Sequence, residues 1–91
     1  MDNKIIIDCS LFTSKENLHT IMKEKIISEN YLGNNLDAFH DALASINKPL
    51  FLYFFNVTTA NVQLGAYFDR FIKVLLDSSN ENKNINVTFS Y

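Results

Sequence analysis

Apolar residues along this chain recur with a period near two in some stretches and near 3.6 in others, and the changes of period mark its elements. Ile5, Ile6, Ile7 and Cys9 form a short run rich in β-branched residues, which predicts a strand over residues 5–9. Thr13-Ser14-Lys15-Glu16 then has capping-box form, with Thr13 at the cap and Glu16 three positions on. Leu18, Ile21, Met22 and Ile26 follow at helical spacing, predicting a helix over 14–28 with His19 beside the stripe, exposed and titrating normally. A loop over 29–35 leads to Leu36, Phe39, Leu43 and Ile46, which share one side of a second helix, with Ala42 beside them. In that loop Gly33 is expected to supply a backbone shape other residues resist, and Asn34 or Asn35 to cap the helix. The helix ends near 45–47, because Pro49 prevents its continuation.

Residues 50–57 (Leu-Phe-Leu-Tyr-Phe-Phe-Asn-Val) are nearly continuous apolar sequence. That is the pattern of a strand buried on both faces in the middle of a parallel sheet. Thr58 to Gln63 is polar and reads as a turn with a short helical segment. Helical spacing returns over 64–76, with Leu64, Phe68, Phe71, Ile72 and Leu75 inward and Gly65 weakening the start. Ser78 to Asn84 reads as a polar loop, and residues 85–90 alternate strictly, as in an edge strand with one covered face. Strand, two helices, strand, helix, strand implies a small two-layer α/β fold. Its three parallel strands, in order 1-2-3, would carry three or four helices by right-handed crossovers. The alternating last strand agrees with two layers. The second strand, apolar on both sides, agrees only if something covers its other face.

Length and charge narrow the function. The chain has 91 residues, no repeats and no linker composition, so a single domain over 1–91 is expected. A net charge of −2 argues against a general nucleic-acid binder, which needs a basic footprint. The one cysteine, Cys9, cannot form an internal disulfide and reads as a small buried hydrophobe in a reducing compartment. The apolar run Ile5–Ile7 is too short for a signal peptide and the run over 50–55 too short to span a membrane. A cytoplasmic protein is expected.

The most informative stretch is the second helix and the loop before it. Asp37 and Asp41 stand four apart, so their carboxylates stack on the side opposite the apolar stripe, with Ala44 between them in projection and His40 toward the boundary. Like charges at this spacing cost an isolated helix about 0.2–0.5 kcal/mol. Asp37 recovers some of that from the helix dipole and Asp41 is too far along. No Lys or Arg lies between Lys25 and Lys48 to neutralise either, and Glu29 adds another acid upstream. A solvated helix face is the bland explanation. The missing cation raises the alternative, a surface that meets a basic partner.

Tyr31, Gly33, Asn35, Leu36, Asp37, Ala38 and Asp41 together resemble the signature of the barstar family, small intracellular inhibitors of secreted ribonucleases. The resemblance is local, covering a little over three helical turns. It implies a barstar-like fold and a stoichiometric inhibitor that plugs the active site of a small basic ribonuclease, its acidic helix mimicking RNA phosphate. It implies partner binding through Tyr31, Gly33, Asn35, Asp37, His40, Asp41, Ala44 and Ser45. Asp77, at the end of the third helix as read here, would widen the patch. For Tyr31 the residues alone favour packing onto the fold, whereas the resemblance favours contact with the partner. The family pattern has tryptophans where this chain has His40 and Ile46.

Little else in the sequence suggests catalysis. Gly33 and Gly65 cannot build a phosphate loop. Cys9, His19 and His40 lack zinc-site spacing, and Asp37, His40 and Asp41 offer too few oxygens for a hard cation, so no metal or cofactor is expected. Asp8, near the end of its strand, reads as a residue that turns the chain. Two rivals to the inhibitor remain: a docking domain that binds a basic protein through the same helix without inhibiting it, and a metal-dependent hydrolase resting on Asp37 and Asp41 alone.

Overall fold

The computed structural model describes residues 3–26 and 31–91. Three strands form one parallel sheet, β1 (Asn3–Asp8), β2 (Leu50–Phe55) and β3 (Ile85–Phe89), in order β1-β2-β3. Ile7 pairs with Phe54 and Leu50 with Ile85, so the buried side chains of neighbouring strands sit abreast. Among the described residues a 3-10 turn at Cys9–Leu11 follows β1, and there are four α-helices: α1 (Lys15–Lys25), α2 (Leu36–Ala44), α3 (Val57–Leu64) and α4 (Ala66–Glu81). The order and the mixed α/β class are those expected from the sequence. No helix among the described residues is long and apolar enough to cross a membrane.

The core lies between the sheet and the helices. Ile7, Leu52 and Phe54 from the strands meet Leu18 and Met22 of α1, Phe39 and Leu43 of α2, and Phe68, Phe71 and Leu75 of α4. Aromatic rings form its centre, with Phe71 stacked on Phe39 at 4.9 Å and edge-on to Phe54 at 5.9 Å. Cys9 is fully buried there, and burial pushes its thiol up to about 12. Asp8 turns the chain out of β1, as expected. Its Oδ1 accepts from the Ser10 amide at 3.0 Å, the Ser10 hydroxyl at 2.7 Å and Asn56 Nδ2 at 3.0 Å.

Several expectations are corrected. The cap of α1 is Ser14, not Thr13: its hydroxyl accepts from the Asn17 amide, while Asn17 Oδ1 takes the Thr13 amide. Asn17 replaces Glu16 as the reciprocal partner. The helix is described to Lys25, and residues 27–28 of the expected span lie outside the described residues. β2 is not buried on both faces. Leu50, Leu52 and Phe54 are buried, but Phe51 is 39% exposed and Tyr53 and Phe55 only half covered. The polar stretch after β2 is a full helix, α3, entered through Asn56 in the left-handed conformation (φ 58°). Val57 and Ala60 give it a buried side too small to stand out in a hydropathy pattern. Gly65, at φ +56°, is the break between α3 and α4. α4 then runs five residues beyond the expected 76, because its inward stripe continues through Ser78, a small buried hydroxyl that carries no apolar signal.

Candidate functional site

α2 presents the candidate site, and side chains hold both its ends, its own cap Asn35 at the start and Asn82 from beyond α4 at the end. At its start Asn35 Oδ1 accepts the Ala38 amide at 2.8 Å, and the Asn35 carbonyl accepts the Phe39 amide at 3.1 Å. Gly33 serves this cap by its small size rather than by an unusual backbone shape. A Cβ there would fall 2.6 Å from Asn35 Nδ2, and its φ is not in the left-handed range that favours glycine. At the end of α2, Asn82 Nδ2 donates to the carbonyls of Leu43 at 3.0 Å and Ile46 at 2.9 Å. These are acceptors that a helix end leaves unmatched. Ser45 closes the last turn, its hydroxyl donating to the Ala42 carbonyl at 2.7 Å.

The apolar stripe points inward as expected: Phe39, Ala42 and Leu43 are fully buried, and Leu36 and Ile46 pack on the core edge. Asp37 and Asp41 are exposed, as is Ala44 beside them. Among the described residues neither carboxylate has an ion pair or a side-chain hydrogen bond. Lys23 of α1 does reach the preceding loop, but its ammonium bonds Asn34 Oδ1 at 2.7 Å and leaves the aspartates alone. Glu29 lies outside the described residues.

Tyr31 does not lie on the surface. It is 5% exposed, its ring packs on Phe39 at 5.6 Å, and its hydroxyl bonds His19 Nδ1. The packing that its residues favoured is therefore what the free chain shows. His19 corrects a second expectation: it is fully buried, not exposed, and its Nε2 bonds the hydroxyl of Tyr67 on α4. Burial lowers its titration to about 4, helped by the ammonium groups of Lys23 and Lys15 and opposed by Glu16. A neutral imidazole has one donor and one acceptor nitrogen, so one tyrosine hydroxyl donates to it and the other accepts. This bridge ties α1, the loop before α2 and α4 together. Sequence reasoning missed it because a histidine beside an apolar stripe reveals nothing of hydroxyls twelve and forty-eight residues away.

Asp77 is not at a helix end, where a carboxylate would meet the unfavourable pole of the dipole. It lies a turn inside α4 and pairs with Lys73 at 3.0 Å. The acid that α4 brings against α2 is Glu81, whose Oε2 is 3.0 Å from His40 Nε2. Its position follows from the extra length of α4, which the sequence reading assigned to a loop. His40, Ala44, Ile46, Ser78, Glu81 and Asn82 line a recess between the two helices. The Ser78 hydroxyl is buried at its base with no hydrogen-bond partner. Among the described residues no group of three or more His, Cys, Asp or Glu side chains is placed to hold a metal ion.

The site is thus a rigid, capped helix presenting two free carboxylates, with a third acid and a half-buried imidazole at its flank. A family model described as "Barstar (barnase inhibitor)" matches residues 3–91. A Bacillus subtilis (strain 168) protein named "Putative ribonuclease inhibitor YrdF" is 38% identical over 82 residues, which cover 89% of this chain and 90% of that protein. The match extends from the first described strand through the last, well beyond the acidic helix, and the chain belongs to the barstar family.

Proposed function

We propose that this chain is a stoichiometric inhibitor of a small basic ribonuclease, acting in the cytoplasm as an immunity protein or antitoxin. The observation that carries the proposal is the pair Asp37 and Asp41, left without cations on the exposed side of a helix anchored at both ends. An enzyme that binds RNA phosphates lines its cleft with Arg, Lys and His. Two carboxylates one helical turn apart offer such a cleft an anion array already in position, so little ordering entropy is lost on binding. Asp41 would enter the catalytic centre, with Asp37 supporting it. The backbone at Gly33 and the free Asn35 amide would add hydrogen bonds. Ala44 and Ser45 would seat the end of the helix, and His40 with Glu81 would form its flank. Asp77, already paired with Lys73, would contribute weakly at the rim. Tyr31 acts from beneath, holding the loop in place. Family membership and the inhibitor name of the relative support this reading.

The experiment is a titration of a barnase-type ribonuclease with the chain, following RNA cleavage at low and moderate salt. We expect a 1:1 endpoint, and inhibition that Asp41→Ala weakens by roughly 100-fold, the scale of leaving a buried charge unpaired. Binding that leaves cleavage intact would support the docking-domain alternative. No binding by the folded chain at micromolar concentration would reject this enzyme class as the target. A pull-down comparing the chain with its Asp37→Ala/Asp41→Ala variant would then be needed to find another basic partner.

A further inference from the structure

The outer face of the sheet, on the side away from α2, has an apolar centre that is exposed or half covered. β1 contributes Lys4, Ile6 and Asp8 to it, and β2 contributes Phe51, Tyr53 and Phe55. Register sets them in rows, Lys4 beside Phe51, Ile6 beside Tyr53 and Asp8 beside Phe55, with Asn86 and Thr88 of β3 completing the first two. Ile6 is 55% exposed and Phe51 39%. A sheet with one wet face normally alternates apolar and polar along each strand. All six residues of β2 are apolar or aromatic, with Phe51 exposed and Tyr53 and Phe55 half buried on their outer side.

We propose that this face seats a second copy of the chain, two sheets stacking with their strands antiparallel. The charges of the face fit a copy of itself. Among the described residues Lys4 and Asp8 are the charged groups of the face, and they flank Ile6 symmetrically on one strand. A two-fold axis across the strands at the Ile6–Tyr53 row reverses strand direction. It sets Lys4 over Asp8 of the second copy, and that copy's Lys4 over Asp8. The same operation lays Ile6 on Ile6, Tyr53 on Tyr53 and Phe51 on Phe55, so every row meets a chemically matched one. This satisfies the condition of a symmetric interface, that residue i meets j and j meets i. A basic or an acidic partner would find one attractive and one repulsive charge here, whereas a copy of the same face finds two attractive ones. Asp8 remains ionised, held below the usual carboxylate range by its bonds from Ser10 and Asn56.

Strand spacing limits the strength. Three strands of five or six residues make a patch about 14 Å by 18 Å. That is well under the roughly 800 Å² each partner gives to a standard stable interface. The dimer is therefore weak, and it leaves α2 of each copy open. Nothing in it depends on the inhibitor reading.

The test is analytical ultracentrifugation of the chain from about 10 μM to 1 mM, in low and high salt, beside Tyr53→Lys, Lys4→Glu and Asp41→Ala. Both sheet substitutions are at solvent-facing positions, and circular dichroism checks that each variant folds. We expect reversible dimerisation weakened by salt. Tyr53→Lys should abolish it, Lys4→Glu should weaken it tenfold or more, and Asp41→Ala should leave it unchanged. A monomer throughout the range would overturn the proposal. So would a dimer lost with Asp41→Ala but kept with Tyr53→Lys. A dimer abolished by Tyr53→Lys but indifferent to Lys4→Glu would overturn the antiparallel arrangement.

Discussion

His19 and Tyr31 share a buried hydrogen bond directly beneath the loop that opens α2, so the surface helix is set by a contact in the core. The Tyr31 hydroxyl has no water to fall back on. Removing one member of a buried pair costs about 1–3 kcal/mol, because the group left behind is unsatisfied. Tyr31→Phe should lower unfolding stability by that amount in a urea titration while leaving the native fold intact. Unchanged stability would show that the bond contributes nothing net.

The same bridge makes stability depend on acid. The His19 pKa is lowered in the fold, from 6.5 to about 4, so the unfolded chain binds the extra proton first. Its contribution is fully present above pH 6.5 and is lost as pH falls toward 4. Between pH 7 and pH 5 the loss should be about 2 kcal/mol from this group. His19→Gln, which cannot titrate, should lack that part of the slope. Parallel pH dependence in the two proteins would reject the assignment.

Gly33→Ala places a methyl group against Asn35 Nδ2. The Asn35 side chain must move, and its cap bond to Ala38 weakens. A lost cap costs about 1 kcal/mol. Faster amide exchange at Ala38, with α4 unaffected, is the specific signature to look for.

The two acids of α4 should behave differently. Glu81→Gln removes a carboxylate that stands against α2, and Asp77→Asn one that Lys73 already partners. Association with a basic ribonuclease should weaken roughly fivefold for Glu81→Gln, as expected for a partly exposed pair, and less for Asp77→Asn. Equal effects would place both carboxylates in one patch.

The fold was legible in this sequence wherever periodicity was strong. Leu36, Phe39 and Leu43 announced α2, and the alternation over 85–90 announced an edge strand. The free acids of the site were legible as well, since a missing cation can be counted. The misreadings share a physical cause: small or polar residues doing structural work. Ser78 continues the buried stripe of α4 and Ala60 that of α3, yet one is polar and the other too small to stand out. His19 is buried because two distant hydroxyls satisfy it, and no local window contains them.

Asn82 clamps the end of α2 from a position beyond α4, and Tyr67 steadies its beginning through His19. The residues that would face a partner all precede position 46, apart from the flank of α4, but two of the groups that hold them in place, Tyr67 and Asn82, come later. A ribosome therefore has to deliver α4 and Asn82 before α2 can take its final pose. During synthesis the acidic segment is chemically complete well before it is conformationally competent, and a fragment cut before α4 would carry the carboxylates without the geometry that displays them.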